Sequence, residues 1–116
     1  MPDLAQASGG TQDYVGDPRN DFVLISINGA LTPRAEAKVS VFDSGFVLGD
    51  GVWEGLRLVD GGISFLSRHL DRLWDGAKML GIDIGLNRAA LTRRLFDVLG
   101  ANDMTDGVHI LSLIHI

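Results

Sequence analysis

The order of helical and strand-like segments constrains the fold of this chain most strongly. Apolar residues at helical spacing share one face of a first predicted helix: Leu70, Leu73, Trp74, Ala77 and Leu80. Ser67 is the predicted N-cap of this helix, and Gly81 is predicted to end it. A second helix is predicted between Asn87, a good N-cap, and Gly100. Strand-like segments lie on both sides of this helical pair, an order typical of α+β proteins rather than of repeating βαβ units.

The first strand-like segments are short and end at turn residues. Residues 22–27 form a β-branched run, and Asn28-Gly29 follows it directly. Because both of these residues accept positive φ, they predict a hairpin whose return strand is residues 30–32. Residues 39–42 are predicted to form another short extended segment.

A glycine-rich stretch precedes the central strand. Residues 43–51 contain three glycines and are predicted to form a loop. Residues 52–59 and 63–66 are predicted to be the two arms of a hairpin around Asp60-Gly61-Gly62. Val108–Ile110 begins the last strand. The predicted fold is therefore a small α+β domain with an antiparallel sheet and two helices.

Length and composition exclude several classes of protein. The 116 residues have room for one ordinary domain, and 46% hydrophobic residues are typical of a globular chain. The lack of cysteine excludes a disulfide framework and a cysteine nucleophile. A net charge of −5 without a basic cluster argues against nucleic acid as a partner. No apolar run reaches membrane-spanning length and the N-terminus does not resemble a secretory signal, so the prediction is no membrane and a cytoplasmic location.

The two ends of the chain are set apart from the segment between them. Residues 1–20 are small, polar and without periodicity, and are predicted to be a flexible leader before a domain at 21–110. Residues 111–116 read LSLIHI, which is also the translation of one reading frame of a transposon end used in sequencing libraries. We therefore predict that residues 111–116 are an adapter-derived scar on an interrupted reading frame.

Few side chains have the spacing that catalysis or metal binding requires. No two of the three histidines are four residues apart, so a structural or exposed role and no metal are predicted for each: His69, His109 and His115. The only lysines are Lys38 and Lys78, and both have the surroundings of surface residues.

Arg72 has two interpretations from the residues alone. It lies off the apolar face of the first helix, where it would be a solvated arginine paired with Asp71 or Asp75. Alternatively it is an anion clamp, since a guanidinium group matches a phosphate or carboxylate.

Three segments, in this order and at this spacing, resemble the N-terminal domain of class IV aminotransferases, the fold-type IV pyridoxal-phosphate enzymes. They are FVLISINGALTPRAEAK from residue 22, VSVFDSGFVLGDGVWEGLRL from residue 39 and FLSRHLDRLWDGAKMLG from residue 65. The resemblance covers about residues 22–110. It is specific because F-D-S-G-F-x-x-G-D-G-V-x-E-G-L-R occurs together with H-L-D-R-L. The family includes branched-chain and D-amino-acid aminotransferases and aminodeoxychorismate lyase.

The resemblance implies roles for individual residues. Arg72 matches the arginine that binds the phosphate of pyridoxal 5′-phosphate in the family. Trp53, Leu48 and His109 match positions that line the substrate pocket. The segment Glu54-Gly55-Leu56-Arg57 is most similar to the branched-chain type.

The resemblance also implies that the chain lacks part of the active site. In the family the Schiff-base lysine lies in a second, C-terminal domain, so no catalytic residue is expected here and the 116-residue chain is predicted to be inactive. The intact protein would be a homodimer that exchanges an amino group between an amino acid, branched-chain by this prediction, and a 2-oxo acid. The alternatives are a D-amino-acid aminotransferase, an aminodeoxychorismate lyase, or a non-catalytic domain that binds a small anion or a protein partner.

Overall fold

A two-stranded hairpin forms the first part of the fold. The computed structural model describes residues 16–115, and the chain divides into two units, Met1–Ala37 and Lys38–Ile116. In the first unit β1 (Leu24–Ile27) pairs antiparallel with β2 (Ala30–Pro33). Asn28 and Gly29 join them with φ values of 52° and 84°, as a tight hairpin turn requires. The predicted Asn-Gly hairpin is thus confirmed.

The predicted leader lies partly outside the described residues, which exclude residues 1–15. Its last residues form a local turn. Pro18–Asn20 make one turn of 3-10 helix, and the carboxylate of Asp17 caps it by accepting a hydrogen bond of 2.9 Å from the backbone N–H of Arg19. The sequence predicted no regular structure at these positions.

Three antiparallel strands form the sheet of the second unit. The central strand β3 (Gly51–Val59) has β4 (Gly62–Ile63) on one side and β5 (Val108–His115) on the other. The predicted second arm at 63–66 is shorter than expected, because pairing with β3 ends at Ile63. The last strand is longer than predicted, since it stays paired with β3 as far as His115. The assignment of residues 111–116 to an adapter remains a prediction.

The glycine-rich stretch before β3 contains a short helix where the sequence predicted a loop. This helix, α1 (Ser44–Leu48), begins because the Asp43 carboxylate accepts a hydrogen bond of 2.8 Å from the N–H of Gly45. It ends at Gly49, whose φ of 72° is left-handed. The preceding residues 39–42, predicted to be extended, belong to no strand, and a turn closes there from the N–H of Asp43 to the carbonyl of Ser40.

The two longer helices agree with the sequence except at some of their ends. Helix α2 (Leu66–Leu80) starts after Phe65, whose φ is 54°, so Ser67 lies within the first turn and the predicted cap is wrong. Its end at left-handed Gly81 is confirmed. Helix α3 (Arg88–Ala101) is capped by Asn87 as predicted, but it passes Gly100 and ends at Asn102.

Helices α2 and α3 cover one face of the sheet, and the core lies between these helices and the sheet. Buried side chains from β3, α3 and β5 form one cluster: Leu56, Leu58, Leu95, Leu99 and Ile110. A second cluster joins α2 to α3 through Leu70, Leu73 and Leu91. The other face of the sheet is largely exposed, with Trp53 65% accessible. The predicted α+β class with an antiparallel sheet is confirmed.

Candidate functional site

A buried carboxylate lies on the helix-covered face of the sheet. Glu54, Leu56 and Leu58 occupy every second position of β3 and therefore project to this same face. Glu54 is only 8% exposed. An unpaired ionised carboxylate in such surroundings would be strongly destabilising. Its position therefore requires cationic or hydrogen-bonding partners from the helix packed above it.

Helix α2 supplies two such partners from one face. His69 and Arg72 are three residues apart and are therefore neighbours on the helix surface. The Nε and Nη2 groups of Arg72 donate to Oε1 and Oε2 of Glu54 at 3.0 and 2.7 Å. The Nδ1 atom of His69 lies 2.7 Å from Glu54 Oε2. When the Nδ1 of His69 carries a proton, it donates a second hydrogen bond to Oε2, the oxygen that also accepts from Arg72 Nη2.

The hydrogen bonds keep Glu54 ionised despite its burial. The Arg72 guanidinium is the main cause that holds the pKa of the Glu54 carboxyl below its usual range, although burial acts in the opposite direction. The hydrogen bond from His69 also lowers this pKa. The carboxylate in turn raises the pKa of Arg72. At neutral pH the two groups therefore form a charged, bidentate pair.

The pairing with Glu54 leaves most of the N–H donors of Arg72 without a bond to this carboxylate. A guanidinium group has five N–H donors, of which Glu54 accepts two. The Arg72 side chain is 68% exposed although its carboxylate partner is buried. It lines a shallow surface depression together with neighbours from the start of α2: Phe65, Arg68, His69 and Asp71. The carboxylate of Asp71, which also lines the depression, pairs with Arg88.

Two of the predicted pocket residues share the open face of the sheet. Trp53 alternates with Glu54 and so projects to the opposite side of β3, while His109 lies on β5 opposite Arg57. Gly55 separates them. A Cβ atom built on Gly55 would lie 3.0 Å from the Cε1 of His109 and 3.9 Å from the Trp53 ring. The glycine therefore lets the two rings approach across the strand.

The other predicted features are spread over the unit. Leu48 is the last residue of α1 and is 72% exposed. Lys38 and Lys78 are exposed, and neither lines the depression beside Arg72. Within residues 16–115 no group of three or more His, Cys, Asp or Glu side chains could hold a metal ion. No helix among these residues is long and apolar enough to cross a membrane.

Sequence reasoning singled out Arg72 as a candidate but did not identify the residues that it contacts. The predicted pairing with Asp71 or Asp75 is wrong, because the carboxylate that Arg72 contacts is Glu54. The sequence did contain a signal for Glu54 as the partner. Every second residue of the strand from position 52 to 58 is apolar except Glu54, and a single acid on a buried face requires a cation. The structure places Arg72 and Trp53 on opposite sides of the sheet, so they form two groups rather than one cluster.

Comparison with known proteins identifies the family to which the chain belongs. The amino-transferase class IV family model matches residues 51–115, which include Glu54, His69 and Arg72. Branched-chain-amino-acid aminotransferase-like protein 1 of Arabidopsis thaliana is 45% identical over 93 residues, 80% of this chain and 17% of the relative. D-alanine aminotransferase of Bacillus licheniformis is 35% identical over 83 residues, 72% of this chain and 29% of that relative.

A solved structure is similar in fold as well as in sequence. It is the T.th. branched-chain amino acid aminotransferase complexed with N-(5′-phosphopyridoxyl)-L-glutamate, with a TM-score of 0.73 and 30% identity. The match covers 81% of this chain and 33% of that chain. The structure therefore has the fold of the N-terminal part of such enzymes, and the chain belongs to the class IV amino-transferase family. It spans less than a third of the length of the two curated relatives.

Proposed function

We propose that this chain is the N-terminal part of a pyridoxal-phosphate-dependent aminotransferase and that Arg72 binds the cofactor phosphate. The observation that carries the proposal is that only one side of the Arg72 guanidinium group is hydrogen-bonded to Glu54. Buried Glu54 holds its Nε and Nη2 side, and the side chain is otherwise exposed with donors to spare. A phosphate dianion fits this arrangement because it accepts several charge-assisted hydrogen bonds.

The chain supplies only part of such a site. Pyridoxal 5′-phosphate, when bound, serves as the electron sink for amino-group exchange. The lysine that this chemistry requires would come from beyond the matched region, since Lys38 and Lys78 are exposed and do not line the depression beside Arg72. The 116-residue chain would therefore be inactive alone, and the intact protein would act as a homodimer in the cytoplasm.

The open face of the sheet would form part of the substrate pocket. Trp53 and His109 offer an aromatic surface on either side of Gly55, and Leu48 would add an apolar wall. Apolar and aromatic walls suit a branched aliphatic side chain. A branched-chain substrate is further supported by the higher identity to the Arabidopsis relative than to the D-alanine enzyme.

The experiment is an amino-transfer assay on the uninterrupted reading frame recovered from the source DNA. We expect glutamate to form from 2-oxoglutarate with L-leucine or L-valine as amino donor. Arg72→Ala should raise the concentration of cofactor needed for half-maximal activity about tenfold or more, because it removes charge-assisted hydrogen bonds. Lys78→Ala on the same helix is the matched control and should change little.

A second candidate reaction is the same transfer from D-alanine, favoured by the 35% identity to the Bacillus licheniformis enzyme. Activity with D-alanine and none with L-leucine would establish it. Activity that survives Arg72→Ala without added cofactor would contradict the role proposed for Arg72.

A further inference from the structure

We infer that Glu54 is a positioning residue, which fixes the Arg72 guanidinium so that its remaining donors are directed at a phosphate group. The inference deepens the proposed function and rests on it. Glu54 is 8% exposed on a strand whose neighbours on the same face are buried leucines, so its carboxylate has little freedom to move. It is therefore a rigid anchor for a long and otherwise mobile side chain.

The geometry of the contact specifies the orientation of the arginine. Two hydrogen bonds, of 3.0 and 2.7 Å, join the carboxylate to Nε and Nη2, and two parallel bonds fix the plane of the guanidinium group. The Nη1 donors then lie on the side away from Glu54. An arginine held in this way loses less side-chain entropy when it binds an anion than a free one does.

His69 has a supporting role in the same network. Its Nδ1 lies 2.7 Å from Glu54 Oε2, the oxygen that also accepts from Arg72 Nη2. The imidazole is 20% exposed and one helical turn from Arg72. It contacts the carboxylate from α2 and so adds a second restraint on Oε2.

The same contacts permit an opposite interpretation, which makes the inference testable. A carboxylate beside an arginine also neutralises its charge and competes with phosphate for its donors. If competition prevails, removal of the Glu54 charge will tighten phosphate binding. If positioning prevails, the same removal will weaken binding although the site becomes more positive. The sign of the effect therefore decides between them.

The experiment titrates the ¹⁵N-labelled 116-residue chain with inorganic phosphate at neutral pH and constant ionic strength. The probe is the Nε–H resonance of Arg72, which is assigned by its loss in Arg72→Lys. We expect Glu54→Gln to weaken phosphate binding about twofold to tenfold, the cost of ordering a free arginine side chain. Asp71→Asn is the matched control, because it removes one negative charge from the same depression without touching Glu54. Because it makes the depression less negative and releases Arg88, it should strengthen phosphate binding.

Each outcome bears on the inference. Binding that is equal or tighter in Glu54→Gln, or equally weakened in Asp71→Asn, overturns the positioning role and leaves Arg72 as the phosphate ligand. If Glu54→Gln does not fold, the phosphate affinity of Glu54→Asp tests the positioning role instead. This variant keeps the carboxylate charge but has a side chain shorter by one methylene group. Wild-type affinity in Glu54→Asp would also overturn the role. Phosphate that leaves the Nε–H resonance of wild-type Arg72 unshifted overturns both this inference and the phosphate-binding role proposed for Arg72, whereas aminotransferase activity of the intact protein is tested separately by the amino-transfer assay.

Discussion

At the residue scale, Glu54 links the stability of the unit to its chemistry. The same carboxylate that fills a buried position on β3 holds the exposed side chain proposed to bind phosphate. Its ionisation depends on the Arg72 guanidinium, which lowers the pKa of the carboxyl against the effect of burial. A change at this one residue should therefore be visible in folding as well as in binding.

Glu54→Gln should lower the free energy of unfolding by about 1–3 kcal/mol at pH 7, the scale for hydrogen bonds to charged groups. Because the pKa of Glu54 is depressed in the folded state, its contribution is present above the pKa of the unfolded chain. That contribution is lost as pH falls through the folded-state pKa. The difference from wild type should thus shrink below about pH 4. Urea unfolding at a series of pH values measures it.

Asp71→Asn is again the control, because the Asp71–Arg88 pair is exposed on both sides and should contribute at most about 1 kcal/mol. A loss of stability in Glu54→Gln that stays constant from neutral to acidic pH would contradict the charged pairing of Glu54 with Arg72.

The sequence could single out Arg72 as a candidate but could not predict its contact with Glu54. The resemblance carried by the H-L-D-R-L segment singled out this arginine, whereas its position off the apolar helix face fitted a solvated arginine. Its partner lies 18 positions earlier on a different element, and the sequence by itself does not specify which strand residue faces which helix turn. Nearby Asp71 therefore looked like the natural partner, yet it contacts Arg88 on α3.

At the element scale, periodicity predicted the helices well and their first residues less well. The Leu70–Leu73–Ala77 stripe is buried as expected, since its spacing directly reflects helix geometry. The start of α2 was misplaced because Phe65 has left-handed φ without being glycine, a conformation that its residue type does not indicate. Helix α1 was missed because five residues are too few to show a helical period.

Glycine-to-alanine substitutions at the C-terminal ends of the two long helices should change the free energy of unfolding in opposite directions. Gly81→Ala should lower the free energy of unfolding by about 1 kcal/mol, because φ at this C-cap is 69° and an alanine is strained there even though the space is open. Gly100→Ala in α3 should raise it by about 0.5–1 kcal/mol, because alanine favours the helix and nothing lies within 4 Å of the added Cβ. Thermal unfolding of the pair measures both, and the same sign in both variants would refute the assigned helix ends.

At the scale of the whole molecule, the candidate site does not depend on the last residues of the chain. Glu54, His69 and Arg72 all precede the segment predicted to be an adapter scar. The register of β5 against β3 is already set by Val108 opposite Leu58 and Ile110 opposite Leu56. In this register the positions opposite Glu54 and Val52, numbers 112 and 114, lie on the helix-covered face of the sheet.

This register yields a prediction for the native sequence beyond Ile110. A long read of the source DNA should continue in frame past codon 110 with residues other than LSLIHI, and with apolar residues at positions 112 and 114, because both face the core. Further downstream it should encode a domain with a strand-borne lysine. A genome that encodes LSLIHI followed by a stop codon would refute the scar and exclude amino transfer by this chain alone. The proposed binding of an anion beside Arg72 would then be the function left to test, by the phosphate titration.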